Sequence, residues 1–182
     1  SLVGLLCFFY SAVIHTHFYL IRQGYTWLTL AISSIFKGGI LTYLSFYVQA
    51  NFIPTTLFYW SIPLILVVFL VELGKIQLNY PMINVQLTDQ QTNTTFLDTK
   101  KFNRFLLGLL LLIYLISFIF YIPTFKGTTF IILFTLPFAI KLIQYLFSKE
   151  ELIAKKLKQR ALQLYSVAFF ISFSVILFIH TN

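Results

Sequence analysis

The most restrictive feature of this chain is a series of six long apolar stretches, at about Leu2–Ile21, Trp27–Val48, Thr55–Leu73, Arg104–Ile122, Thr128–Phe147 and Leu162–Ile179. Each approaches the ~20 residues that carry an α-helix through the hydrocarbon core of a bilayer. None shows the polar–apolar alternation of a membrane strand, so the pattern predicts helices. Of the 182 residues 59% are hydrophobic and 10% charged, with 22 Phe, which is more apolar side chain than a water-soluble domain of this size can hide. The expected fold is therefore all-α: a polytopic transmembrane bundle with six spans, forming one domain over residues 1–182.

The charges orient that bundle. The net charge of +8 is clustered between apolar runs instead of spread over a polar surface. This pattern points to anionic lipid or an anionic substrate group and away from nucleic acid. The odd-numbered connectors hold Arg22, then Lys75, Lys100, Lys101 and Arg104, then Lys149, Lys155, Lys156, Lys158 and Arg160; the even-numbered ones hold only Lys126. The positive-inside rule puts the basic connectors, including the loop 75–103, on the cytoplasmic side and both chain ends opposite. The sequon Asn93-Thr94-Thr95 then escapes glycosylation, and a glycan there would overturn the topology. The chain begins with Ser1 and enters an apolar span without a basic leader, which reads as an N-terminal truncation. Cys7, the only cysteine, excludes an internal disulfide or a cysteine metal site.

Few residues inside the spans carry chemistry. Lys37, in "SSIFKGGIL", sits near the middle of the second span. A lysine at that depth costs ~2.5–3.5 kcal/mol, so it faces a cavity with an anionic or polar ligand, or it snorkels to the interface. No acid lies at matching depth in the other spans on this assignment, and Gly38 and Gly39 offer close backbone approach or local distortion. His15 and His17 are two residues apart, which points their side chains ~200° apart on a helix and makes a shared metal improbable. Arg22 follows as a phosphate contact or an orientation anchor.

Glu72 and Lys75 end the third span in "FLVELGKIQLNYP", three residues apart, so an intrahelical ion pair is a sufficient account of them. Gln77 and Asn79 add neutral oxygens, and the loop beyond carries Asp89 and Asp98 before its basic end. Acids for a divalent cation and bases for phosphate suit diphosphate chemistry, as they suit any solvated loop. The segment 148–161 mixes Leu152, Ile153 and Leu157 with charges; it reads as a basic amphipathic helix at the lipid surface or a solvated linker. Pro63 and Pro137 lie within spans and are expected to bend them.

Span order, charged connectors and "ELGKIQ" together resemble the C-terminal two-thirds of the UbiA superfamily of membrane prenyltransferases, and "HFYLIRQGYTWL" resembles the arginine-bearing turn between that family's fourth and fifth helices. The resemblance implies the last six helices of a nine-helix bundle and transfer of a polyprenyl group from its diphosphate to a lipophilic acceptor, aromatic or not. It also implies Mg²⁺ at the second acidic motif, where Glu72 takes the acidic position with Gln77 and Asn79 as further ligands. Arg22, Lys75, Lys100 and Lys101 would hold the diphosphate, while Lys37 belongs to no family motif. The motif departs from the usual D-x-x-x-D, since no aspartate occurs between Glu72 and Asp89, and the first motif would lie upstream of Ser1. Two alternatives stay open: a non-catalytic relative that binds lipid or joins a complex, and a small transporter component.

Overall fold

In the computed structural model, residues 4–5, 7–9, 11–12, 26–50, 52–86, 99–147 and 151–181 are described. Among them the chain is helical without strands, and four segments are long and apolar enough to cross a membrane: Trp27–Val48, Thr56–Leu78, Lys101–Leu146 and Lys156–His180. The first expected span falls mostly outside the described residues. The described parts fall into two compact units, one within Ser1–Phe96 and one within Leu97–Asn182.

The outer faces of these helices are as apolar as the inner ones. Leu111, Leu115 and Ile119 form an exposed stripe along one helix, and Leu164, Val167, Ile171, Val175 and Phe178 along another. The buried faces hold Ser61, Ser117, Thr129, Thr135 and Ser172 among their leucines and aromatics. Small hydroxyls inside and large apolar side chains outside suit lipid as the solvent.

In the first unit, helix α1 (Thr26–Ser34) passes through a π-helical segment (Ile35–Ile40) into α2 (Leu41–Ala50), and α3 (Thr56–Gln86) returns after a short connector. The wide turn is marked by the Leu41 N–H bonding to the Phe36 carbonyl, five residues back. On either side, the Ser34 hydroxyl donates to the Leu30 carbonyl and that of Thr42 to the Gly38 carbonyl, a pattern that bends helices. Both α1 and the π segment pack on α3, the most enclosed of the four apolar segments. Helix α3 runs through Pro63 and on to Gln86, so the segment 75–103 begins as helix and Lys75, Gln77 and Asn79 stand on it.

The second unit is a hairpin plus a long helix. Helix α4 (Thr99–Phe125) ends two residues after Pro123, and the chain reverses at Lys126, whose φ of 50° lies in the left-handed region. A 3₁₀ segment (Lys126–Thr135) then leads into α5 (Leu136–Leu146). In a 3₁₀ helix side chains three apart eclipse, and the buried residues of this segment are Thr129, Ile132 and Thr135. The stripe continues as Ala139, Leu142 and Leu146 once the pitch widens. Pro137 was expected to bend a helix from within; it stands instead in the first turn of α5, where its missing N–H costs nothing.

Two buried hydrogen bonds close the hairpin. The Asn103 side-chain amide donates to the Leu146 carbonyl at 2.7 Å, capping the last turn of α5. Further along, the Thr135 hydroxyl gives its proton to the Ile132 carbonyl, so at 2.6 Å it accepts from the Tyr114 hydroxyl. Helix α6 (Glu151–Thr181) carries the basic segment into the last apolar stretch without a break and packs on the 3₁₀ segment and α5. Aromatic contacts tie it to α4: Tyr165 against Tyr114, and Phe173 stacked on Tyr121.

Candidate functional site

The residues that bear charge inside the first unit come together on α3 and the π segment. The Lys37 ammonium lies 3.1 Å from Oε1 of Glu72, and that of Lys75 lies 3.4 Å from the same oxygen. Glu72 is buried, with 8% of its surface exposed, while the two lysine side chains are each about a third exposed. The Lys75 contact is the expected pairing across one helical turn. The Lys37 contact corrects the expectation that no acid lies at its depth. Glu72 belongs within the apolar segment Thr56–Leu78, not at its wet edge.

The backbone explains why the pair can form. A Cβ added to Gly38 would stand 2.6 Å from the Ile65 Cα and 2.9 Å from the Leu64 carbonyl oxygen. At that point α3 and the π segment touch backbone to backbone, as only glycine permits. Gly39 faces the Ile65 side chain, where a Cβ would come within 3.2 Å of Cδ1. The approach sets Lys37, next to Gly38, against the helix that carries Glu72. A widened π turn at such a place is common where a helix carries a functional side chain.

The charge balance of this cluster is one carboxylate against two ammonium groups, a net +1. Each ammonium has three N–H donors and directs one of them at Glu72, so donors remain on partly exposed side chains. Such a group can receive an anion. It is a poor seat for Mg²⁺, which needs several oxygens around a site of negative charge. The one carboxylate is already neutralised twice over, and Gln77 adds a single buried amide oxygen without a partner among the described residues. Nor is there a group of three acidic, His or Cys side chains among the described residues. Among the described residues, the donor set at Glu72 therefore does not fit the metal that the family resemblance implies.

Lys101 is exposed in the first turn of α4, in the second unit. Of Asn79 and Lys100 only the backbone is described, on α3 and α4. Arg22, His15, His17, Asp89, Asp98 and the sequon lie outside the described residues. Comparison with family models, curated proteins and solved structures finds no match to this chain.

Proposed function

We propose that this chain is the helical core of an integral membrane, prenyltransferase-like protein that binds the phosphate or diphosphate headgroup of a lipid through lysines, without a metal at Glu72. The observation that carries this reading is the pair of ammonium groups sharing one buried carboxylate oxygen. Glu72 holds both lysines by ion pairs within apolar segments, and their remaining N–H groups offer charge-assisted hydrogen bonds to phosphate oxygens. Exposed apolar faces around the helices leave room for the lipid's tail alongside.

The finer topology belongs to this proposal. Six spans with the basic connectors on the cytoplasmic side would place Lys37, Glu72 and Lys75 in the cytoplasmic half of the bilayer, within reach of a headgroup. Under this reading the resemblance to prenyltransferases extends to architecture and lipid class, and the carboxylate that would hold Mg²⁺ serves as a counter-ion.

The test uses the chain in nanodiscs with a radiolabelled prenyl diphosphate. Binding is expected to persist in EDTA and to fall at least tenfold in the Lys37→Gln, Lys75→Gln double variant. Product formed from prenyl diphosphate and a lipophilic acceptor, dependent on Mg²⁺ and lost in Glu72→Gln, would overturn the metal-free reading and restore the transferase.

A further inference from the structure

The second unit contains a cleft that neither the resemblance nor the Lys37 cluster involves. A cavity of about 140 Å³ opens between α5 and α6, bounded by Phe138, Lys141 and Tyr145 on one side and Leu157, Arg160 and Leu164 on the other. Its volume takes several waters or a hydrated phosphate group. Lys141 and Arg160 are both exposed, and neither is in an ion pair with another described residue. Two cations thus face one small cleft across two helices.

Their position along the helices bears on the ligand's shape. Lys141 stands five residues before the end of α5 and Arg160 nine residues after the start of α6, on two helices that follow one another across a short connector. At 1.5 Å per residue the two cations lie ~8 and ~14 Å from the facing ends of their helices. One turn deeper on each helix the lining changes: Phe138 lies three residues before Lys141, and Leu164 four residues after Arg160. The two cations stand between Tyr145 and Leu157 on the connector side and Phe138 and Leu164 on the inner side. A free phosphate would use only the cations, whereas a phospholipid also covers the apolar lining. Tyr145, one turn outward of Lys141, adds a hydroxyl on the connector side.

We propose that this cleft binds one anionic glycerophospholipid, its phosphate between Lys141 and Arg160 and an acyl chain along Phe138 and Leu164. Arginine supplies a planar fork for two phosphate oxygens and lysine a point charge beside it. Basic pockets between membrane helices near a basic connector are suited to such headgroups.

Native mass spectrometry of the detergent-purified chain, titrated with phosphatidylglycerol, phosphatidylcholine, or inorganic phosphate, tests this. One phosphatidylglycerol is expected to remain bound, and its affinity to fall about 30-fold in Lys141→Gln, Arg160→Gln from the two charges together. Lys141→Arg with Arg160→Lys keeps both charges, and is expected to retain the lipid within about threefold by the same arithmetic. Lys37→Gln with Lys75→Gln is expected to leave this occupancy unchanged, which separates the cleft from the first unit's cluster. Equal retention of phosphatidylglycerol after neutralisation overturns the proposal, as does equal affinity for phosphatidylcholine. Inorganic phosphate displacing the lipid at matched concentration would assign the cleft to a free anion instead.

Discussion

Glu72→Gln is the most informative single change, because it removes the shared counter-ion and leaves two lysines facing an amide. At 3.1 Å and an effective dielectric constant of ~20, the Lys37–Glu72 attraction is ~5 kcal/mol before desolvation is subtracted. Breaking a fully buried pair by deleting one partner costs ~3–5 kcal/mol. Each lysine here is about a third exposed, so solvent recovers part of that, and the expected loss is ~2–3 kcal/mol. Lys37→Met has a different sign structure: it removes the cation as well, leaves Glu72 paired with Lys75, and is expected to cost no more than ~1 kcal/mol. In the Glu72→Gln, Lys37→Met double variant one of the two orphaned charges is gone and only the more exposed Lys75 is left facing the amide, so stability is expected to recover by at least ~1 kcal/mol relative to additivity. Unfolding by SDS in mixed micelles, followed by Trp fluorescence, measures all four corners of the cycle. Of the two tryptophans Trp60 is buried on the same helix as Glu72, so its emission reports on this unit. Additivity within ~0.5 kcal/mol would refute the pairing.

Other perturbations follow from the same coordinates. Gly38→Ala drives a methyl group into the Ile65 backbone and is expected to destabilise by ~1–3 kcal/mol, whereas Gly108→Ala, with open space at its Cβ, is expected to be neutral or to stabilise by up to ~1 kcal/mol; thermal midpoints compare the two. Asn103→Ala leaves the last carbonyl of α5 uncapped and is expected to cost ~1–3 kcal/mol, with faster hydrogen exchange confined to residues 143–147. Tyr114→Phe deletes one hydroxyl bond while Thr135 keeps its bond to Ile132, so the loss should be only ~0.5–1.5 kcal/mol in the same unfolding assay. Lys126→Gly relieves a left-handed conformation and is expected to raise stability by ~1 kcal/mol, against no change for Lys126→Gln.

Hydropathy made one helix legible residue by residue, since the second apolar stretch was expected at Trp27–Val48 and the helical segment has those bounds; the third and sixth stretches were drawn too short, and the fourth and fifth fall within one apolar segment, Lys101–Leu146. The glycine pair beside Lys37 signalled close approach or distortion, and both occur there. The ion pair was hidden by the placement of Glu72 at a water edge. Counting from the connector shared by the two helices would have found it. Lys37 lies thirteen residues before Ala50 and Glu72 sixteen after Thr56, or ~20 and ~24 Å along antiparallel rods, a difference a lysine side chain spans. The three-residue spacing of Thr129, Ile132 and Thr135 was equally visible, but a solid apolar run masks a change of pitch because its exposed positions are apolar too. Arg160 was counted as an orienting charge and Lys141 was passed over, because a cleft depends on the separation of two helices and no residue pattern reports that.

The contact between Gly38 and Ile65 also governs how the first unit can move. Two helices separated by side chains can shear, because rotamers accommodate small slides. Helices that meet backbone to backbone have no such layer: sliding by one residue, ~1.5 Å, would bring a Cβ where only hydrogen fits. They can still pivot about the contact. Lys37 stands next to that pivot, but Glu72 lies seven residues, ~10 Å, further along α3 than Ile65, so any swing of the helices changes the distance between the two charges. The ion pair is thereby a clasp set two turns away from the hinge: with it closed the crossing angle is fixed, and with it broken the helices are free to pivot while the slide stays blocked.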